Sequence, residues 1–177
     1  GGPGPRGRRD RRLSGAGLAA FGVDHLLGKN SLNPKSIQQF ARSILLGDKL
    51  ADKLVEFDTP LVQDLAVLDT TAHTPAPSFP GRPAALARRG KAEFPSVSDL
   101  HQDRVRGQVL HFFANHELLA MELMALVLLR FPSAQEGAPD AFREGLVRTI
   151  QEEQSHMKLY IERMRELGVE FGELPVS

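Results

Sequence analysis

Residues 142–167, FREGLVRTIQEEQSHMKLYIERMREL, decide the fold. Pro139-Asp140 opens this stretch and Gly168 ends it, which predicts one long helix over about 139–167. Phe142, Leu146, Ile150, Met157, Ile161 and Met164 recur at helical spacing as an apolar stripe. Arg143, Glu144, Arg148, Gln151, Lys158, Glu162 and Glu166 supply the wet face. Arg163 and Arg165 fall in the last turn, where cations favour the carbonyl end of the dipole. Within the stripe stand two residues of another kind, Glu153 and, three positions on, His156.

Working outward, residues 112–131, FFANHELLAMELMALVLLRF, form the core of a preceding helix. Ser98-Asp99 is its predicted cap and Phe131-Pro132 its end, placing it at about 98–131. From Val109 onward it is apolar nearly all round, the pattern of a central, buried element. His111, Asn115, His116, Glu117, Glu122 and Arg130 interrupt it. Those interruptions argue against a membrane span, because each acid at mid-bilayer costs roughly 2.5–3.5 kcal/mol. A short link joins the two helices, so they are expected to pack as an antiparallel hairpin in an all-α bundle.

Upstream, Asn33-Pro34 offers an N-cap with proline at the first helical position. Ile37, Phe40, Ala41, Ile44 and Leu45 follow at helical spacing, Gly47 closes that segment, and Asp48 restarts a short helix. The chain thus divides into a Gly/Arg-rich leader expected to be disordered (1–32) and a helical segment (33–57). A Pro-rich extended connector (58–97) and the hairpin (98–177) follow. The leader lacks the apolar core of a secretory signal, and the expected location is cytoplasmic.

With 22 Lys+Arg against 22 Asp+Glu, overall charge gives no argument for nucleic acid or an acidic membrane as partner. There is no cysteine, which excludes disulfides, zinc–thiolate sites, iron–sulfur clusters and thiol catalysis. A metal here must be held by carboxylate, imidazole and water, which favours iron, manganese, zinc or magnesium. Phosphate loops, dinucleotide fingerprints and nucleophile elbows are not found in the sequence.

On a helix, Glu117 has Leu110, Phe113, Ala120, Met121 and Met124 as neighbours. A carboxylate on such a surface must be protonated, paired or bound to a cation, since unpaired burial is too costly. Glu153 has the same problem between Leu146, Ile150 and Met157, and Glu-x-x-His can present an oxygen and a nitrogen to one centre. Glu117, Glu153 and His156 are therefore the candidate metal ligands. The plain alternative is that Glu153 simply pairs with His156 or with an arginine. His116, Glu122 and Tyr160 are candidates for hydrogen-bonding around the ligands. Glu122 points well away from Glu117 and reads more simply as a salt-bridge partner, and Tyr160 as packing.

At FFANHELLAMELMALVLLRF (112–131) and FREGLVRTIQEEQSHMKLYIERMRELGVEFGELPVS (142–177) the chain resembles the ferritin-like domain of unknown function 455 (DUF455). The resemblance reaches back over the FPGRPAAL connector and more weakly to the helix near Ile37. It implies a ferritin-like bundle of which this chain holds the first hairpin, with Glu117, Glu153 and His156 as ligands of a dinuclear iron or manganese site. It also implies two further helices bringing another Glu and another Glu-x-x-His, so that the ligand set here is incomplete. The expected partner is the missing C-terminal half or a second copy as a homodimer. The expected chemistry is redox, on an unknown substrate. The alternative is a metal-free helical interaction module with a buried Glu/His network.

Overall fold

The computed structural model describes residues 34–57, 79–87, 90, 94–132 and 139–175. The expected leader (1–32), Asn33 and most of the Pro-rich connector lie outside them. Among the described residues the architecture is all-α: α1 (Ile37–Leu46), α2 (Leu50–Lys53), α3 (Asp103–Arg130) and α4 (Asp140–Glu166), with short 3-10 turns at Ala84–Ala87 and Val97–Asp99.

α1 begins three residues later than the Asn-Pro reading placed it, because Ser36 is the cap, its side chain accepting from the Gln39 N–H at 3.2 Å. Its stripe, Ile37, Phe40, Ala41, Ile44 and Leu45, is buried against α3. α1 ends at Gly47, whose backbone turns extended, and only glycine fits there: a Cβ would lie 2.2 Å from the Asp52 Cβ and 2.5 Å from the Ser43 carbonyl oxygen. After α2 the chain runs alongside α4. Gln154 donates to the carbonyls of Lys53 and Val55, both at 3.0 Å, and Gln151 to that of Phe57 at 2.8 Å. Phe57 stacks on Phe40 with ring centroids 5.0 Å apart.

The expected cap Ser98-Asp99 belongs instead to a separate 3-10 turn, and α3 proper starts at Asp103. α3 and α4 are antiparallel. Arg143 at the start of α4 donates to the Pro132 carbonyl just beyond the end of α3, and Arg104 at the start of α3 donates to the Gly168 carbonyl at 3.0 Å. Arg143 is consequently buried and paired with Asp140, rather than on the wet face. Between the helices, Leu118, Met121 and Leu128 meet Ile150, Met157 and Ile161, all buried.

α3 is not buried all round, and Phe142 is not core. Leu123 is 62% exposed, Phe142 49% and Phe113 41%, because α1 covers only one side of the hairpin. By length and composition α3 is the one helix among the described residues that could cross a membrane. Here it packs between α1 and α4 and carries a buried, doubly ion-paired glutamate.

α4 ends in a Schellman turn. Gly168 takes φ +73, its N–H reaches the Arg165 carbonyl and the Val169 N–H the Met164 carbonyl, both at 3.0 Å. The chain then straps back over the start of α3. Val169 seats on Gly107, where a Cβ would come within 2.6 Å of it. Glu173 pairs with Arg104, and the Gly172 N–H donates to Nε2 of buried His111 at 3.0 Å. Nε2 accepts only while the ring is neutral, and burial lowers the His111 pKa, opposed by the charge of Glu173. The unfolded chain therefore takes up this proton more readily than the native one. Stability contributed by His111 should be present above about pH 6.5 and fall as the pH drops from there through the lowered native value. Urea midpoints across pH 5–7.5 check this: the slope should flatten in His111→Leu.

Candidate metal centre

Glu117 lies near the middle of α3, and Glu153 and His156 near the middle of α4, so the antiparallel pairing sets them at the same level. One ligand atom from each of the three lies within 4.8 Å of the others. The structure therefore brings together the three residues that the spacing singled out. His156 Nδ1 and Glu153 Oε2 are 2.9 Å apart. Two ligand atoms on one cation at about 2.1 Å each stand at most about 4.2 Å apart, so small side-chain adjustments would close the group onto an ion.

Their surroundings differ from the expected deep burial. Glu117 is half-buried, the Glu153 side chain is 21% exposed and that of His156 53%. Phe113, one turn before Glu117 on α3, is itself 41% exposed. Burial raises the Glu117 pKa first, and hydrogen bonding to Glu153 and its charge raise it further, against the opposing fields of His156 and His116. The hydrogen bond to Glu153 is what chiefly raises the His156 pKa. Two carboxylates and an imidazole thus crowd together, and the crowding favours the protonated forms of Glu117 and His156. A divalent cation would relieve the same crowding, and hard oxygen donors with one imidazole suit iron or manganese. The residues present fit such an ion.

The three neighbours divide. His116 is exposed, bonds through Nδ1 to the Phe112 carbonyl at 2.9 Å, and is near enough to act electrostatically on Glu117. Tyr160 is half-buried, its ring centroid 6.2 Å from that of Phe113. Glu122 belongs elsewhere. It is 4% exposed and engaged by Arg82 through two hydrogen bonds, at 2.7 and 3.2 Å, and by Lys53 at 3.3 Å. It is thus a salt-bridge partner in a separate network. Sequence reading missed both cations. A lysine within the Leu50, Leu54, Val55 run was the available signal for Lys53. Arg82 carried none, because its approach depends on how the connector lies over α1.

An all-α bundle whose hairpin bears an open carboxylate–imidazole group is the class that fold and site define. The chain belongs to the family described as "Protein of unknown function (DUF455)", whose model matches residues 38–177. No curated protein and no solved structure matches it.

Proposed function

We propose that this chain carries half of a dinuclear iron or manganese site of the ferritin-like carboxylate type, serving redox chemistry on a substrate still to be identified. The observation that carries the reading is the convergence of Glu117, Glu153 and His156 from two helices onto one volume smaller than 5 Å across. Glu117 and Glu153 would be oxygen ligands, with Glu153, standing between the other two, the better placed to bridge; His156 would be the nitrogen ligand. When bound, the metal pair supplies redox reactivity toward dioxygen or peroxide. The chain's own part is to hold the ligands at one level of the hairpin and, through Glu153, to orient the His156 ring. A second copy related by a twofold axis would repeat the three ligands and give four carboxylates and two imidazoles, as would a following segment of chain. A cytoplasmic location, with α3 as a bundle helix, goes with this reading.

The test is metal binding by the purified chain under anaerobic conditions, followed by sedimentation. Iron(II) or manganese(II) should bind saturably, and Glu153→Ala should abolish it. Because Glu117 and His156 hold their protons more firmly than usual, binding should release protons and weaken as the pH falls; calorimetry in two buffers of different ionisation enthalpy reads this directly. A monomer that takes up no metal under any of these conditions overturns the proposal. The exposure of Leu123, Phe142 and Phe113 favours one other reading, a metal-free helical interaction module with a buried Glu/His network that docks a partner through its exposed apolar residues. On that reading Glu153→Ala changes only stability, by roughly 1–3 kcal/mol.

A further inference from the structure

A second concave site lies at the foot of α3, built independently of the metal group. It is a groove of about 480 Å³ between the Val97–Asp99 turn, the first three turns of α3 and the end of the C-terminal strap. That volume is within the range of small-molecule sites, roughly 300–1,000 Å³. Its walls mix apolar and polar surface in near-equal measure. Phe94 and Phe112 meet edge to face, with centroids 5.3 Å apart and planes at 81°, and Pro95, Leu174 and Pro175 close the sides. Pro175 is itself seated against Gly90, where a Cβ would lie 2.9 Å from the Pro175 Cβ.

Four polar side chains line it: Ser96, whose Oγ is engaged by the Ser98 Oγ at 2.8 Å, His111, and Asp99 and Gln108. The carboxylate of Asp99 makes no hydrogen bond or ion pair with any described residue, although the acids of the strap and of α4 mostly find arginines. His111, which also lines the groove, spends Nε2 on Gly172 and is held neutral, so it brings no competing positive charge. A negative group without a counter-charge, beside two aromatic rings whose faces attract cations, is complementary to an organic cation on an apolar body. An anion would meet Asp99 with repulsion, and a purely apolar molecule would leave Asp99 and Gln108 desolvated without partners.

We propose that the groove between Phe94, Phe112 and Pro175 binds a small aromatic or aliphatic amine, its ammonium on Asp99, its second polar group on Gln108 and its apolar body against the two phenylalanines. Phe112 gives the site a second consequence. Its ring also packs on His116, centroids 4.1 Å apart, and His116 acts on Glu117. An occupant of the groove is thereby separated from the carboxylate group by two side chains. The binding itself does not depend on the metal.

The chain has no tryptophan, so an indole amine reports its own binding by fluorescence anisotropy. Tryptamine is the probe, with its uncharged alcohol analogue tryptophol and the anion indole-3-acetate as controls. Tryptamine should bind about tenfold more tightly than tryptophol, as expected of a charge-assisted hydrogen bond, and indole-3-acetate should not bind. Asp99→Asn, which removes no hydrogen bond or ion pair among the described residues, should bring tryptamine down to the level of tryptophol. Phe112→Leu should weaken both, and Glu153→Ala, which removes the metal group, should leave all three unchanged. Tryptamine anisotropy that stays flat to millimolar protein overturns the proposal. So does equal binding of the three indoles, or a preference for tryptamine that survives Asp99→Asn.

Discussion

Replacing Glu122 by leucine is expected to cost about 3–5 kcal/mol of folding stability, the penalty for stranding buried charge by removing its partner. The Lys53 side chain is fully buried and that of Arg82 12% exposed, and Glu122 is the acid that both engage. Lys53 already has its pKa lowered, because burial outweighs the attraction of Glu122. Without that attraction, and with Arg82 alongside, the lysine can stay buried only by giving up its proton. The loss would be structural as well as electrostatic. Lys53 Nζ also donates to the Ile44 carbonyl at the end of α1, and Arg82 belongs to the segment whose Gly81 N–H bonds the Leu45 carbonyl at 2.9 Å. Glu122 therefore joins α1, α2 and the connector to α3. Lys53→Met should be far milder, since Glu122 keeps both hydrogen bonds from Arg82 and an apolar chain of similar length fills the space. The double variant should recover much of the loss, and urea unfolding of the four proteins gives the coupling. Equal costs for Lys53→Met and Glu122→Leu would rule out the charge account and leave packing alone.

The parts of this fold that could be read from sequence are those set by local chemistry. α4 was legible at both ends, because Pro139-Asp140 and Gly168 act on the backbone whatever surrounds them. The pairing of Glu117 with Glu153 and His156 was legible because two helices on a short link have one natural register. What failed was burial. Phe142, Leu123 and Phe113 have core chemistry but lie exposed, because periodicity shows which face is apolar without showing what covers it. Arg143 failed in the opposite direction: a residue written on the wet face is buried because its guanidinium spans from Asp140 to the Pro132 carbonyl. The start of α3 was misplaced since Ser98 and Asp99 signal a helix start equally well for a 3-10 turn. The Glu122 network needed a contact across 40 residues between the connector and α3, which no local pattern encodes.

The carboxylate group has a sign that separates a metal site from an ordinary polar cluster, and Glu117→Leu shows it. In the metal-free chain this substitution should stabilise the fold by about 1 kcal/mol, because it replaces a crowded, half-buried acid with a side chain matching Phe113, Met121 and Met124. The pH dependence follows from the raised pKa of Glu117. A carboxyl that titrates higher in the native state than in the unfolded one withdraws stability as the pH rises from the ordinary carboxylate value through the raised native value. The benefit of leucine should therefore be absent at low pH, where both forms are neutral, and complete above that window. In the presence of iron(II) or manganese(II) the order should invert. The parent chain gains stability with metal concentration by mass action, while Glu117→Leu, with one ligand oxygen donor fewer, gains little. Thermal unfolding of both proteins with and without metal reads all of this in one series. If Glu117 were a structural acid paired for its own sake, leucine would destabilise the chain at every pH and added metal would change nothing.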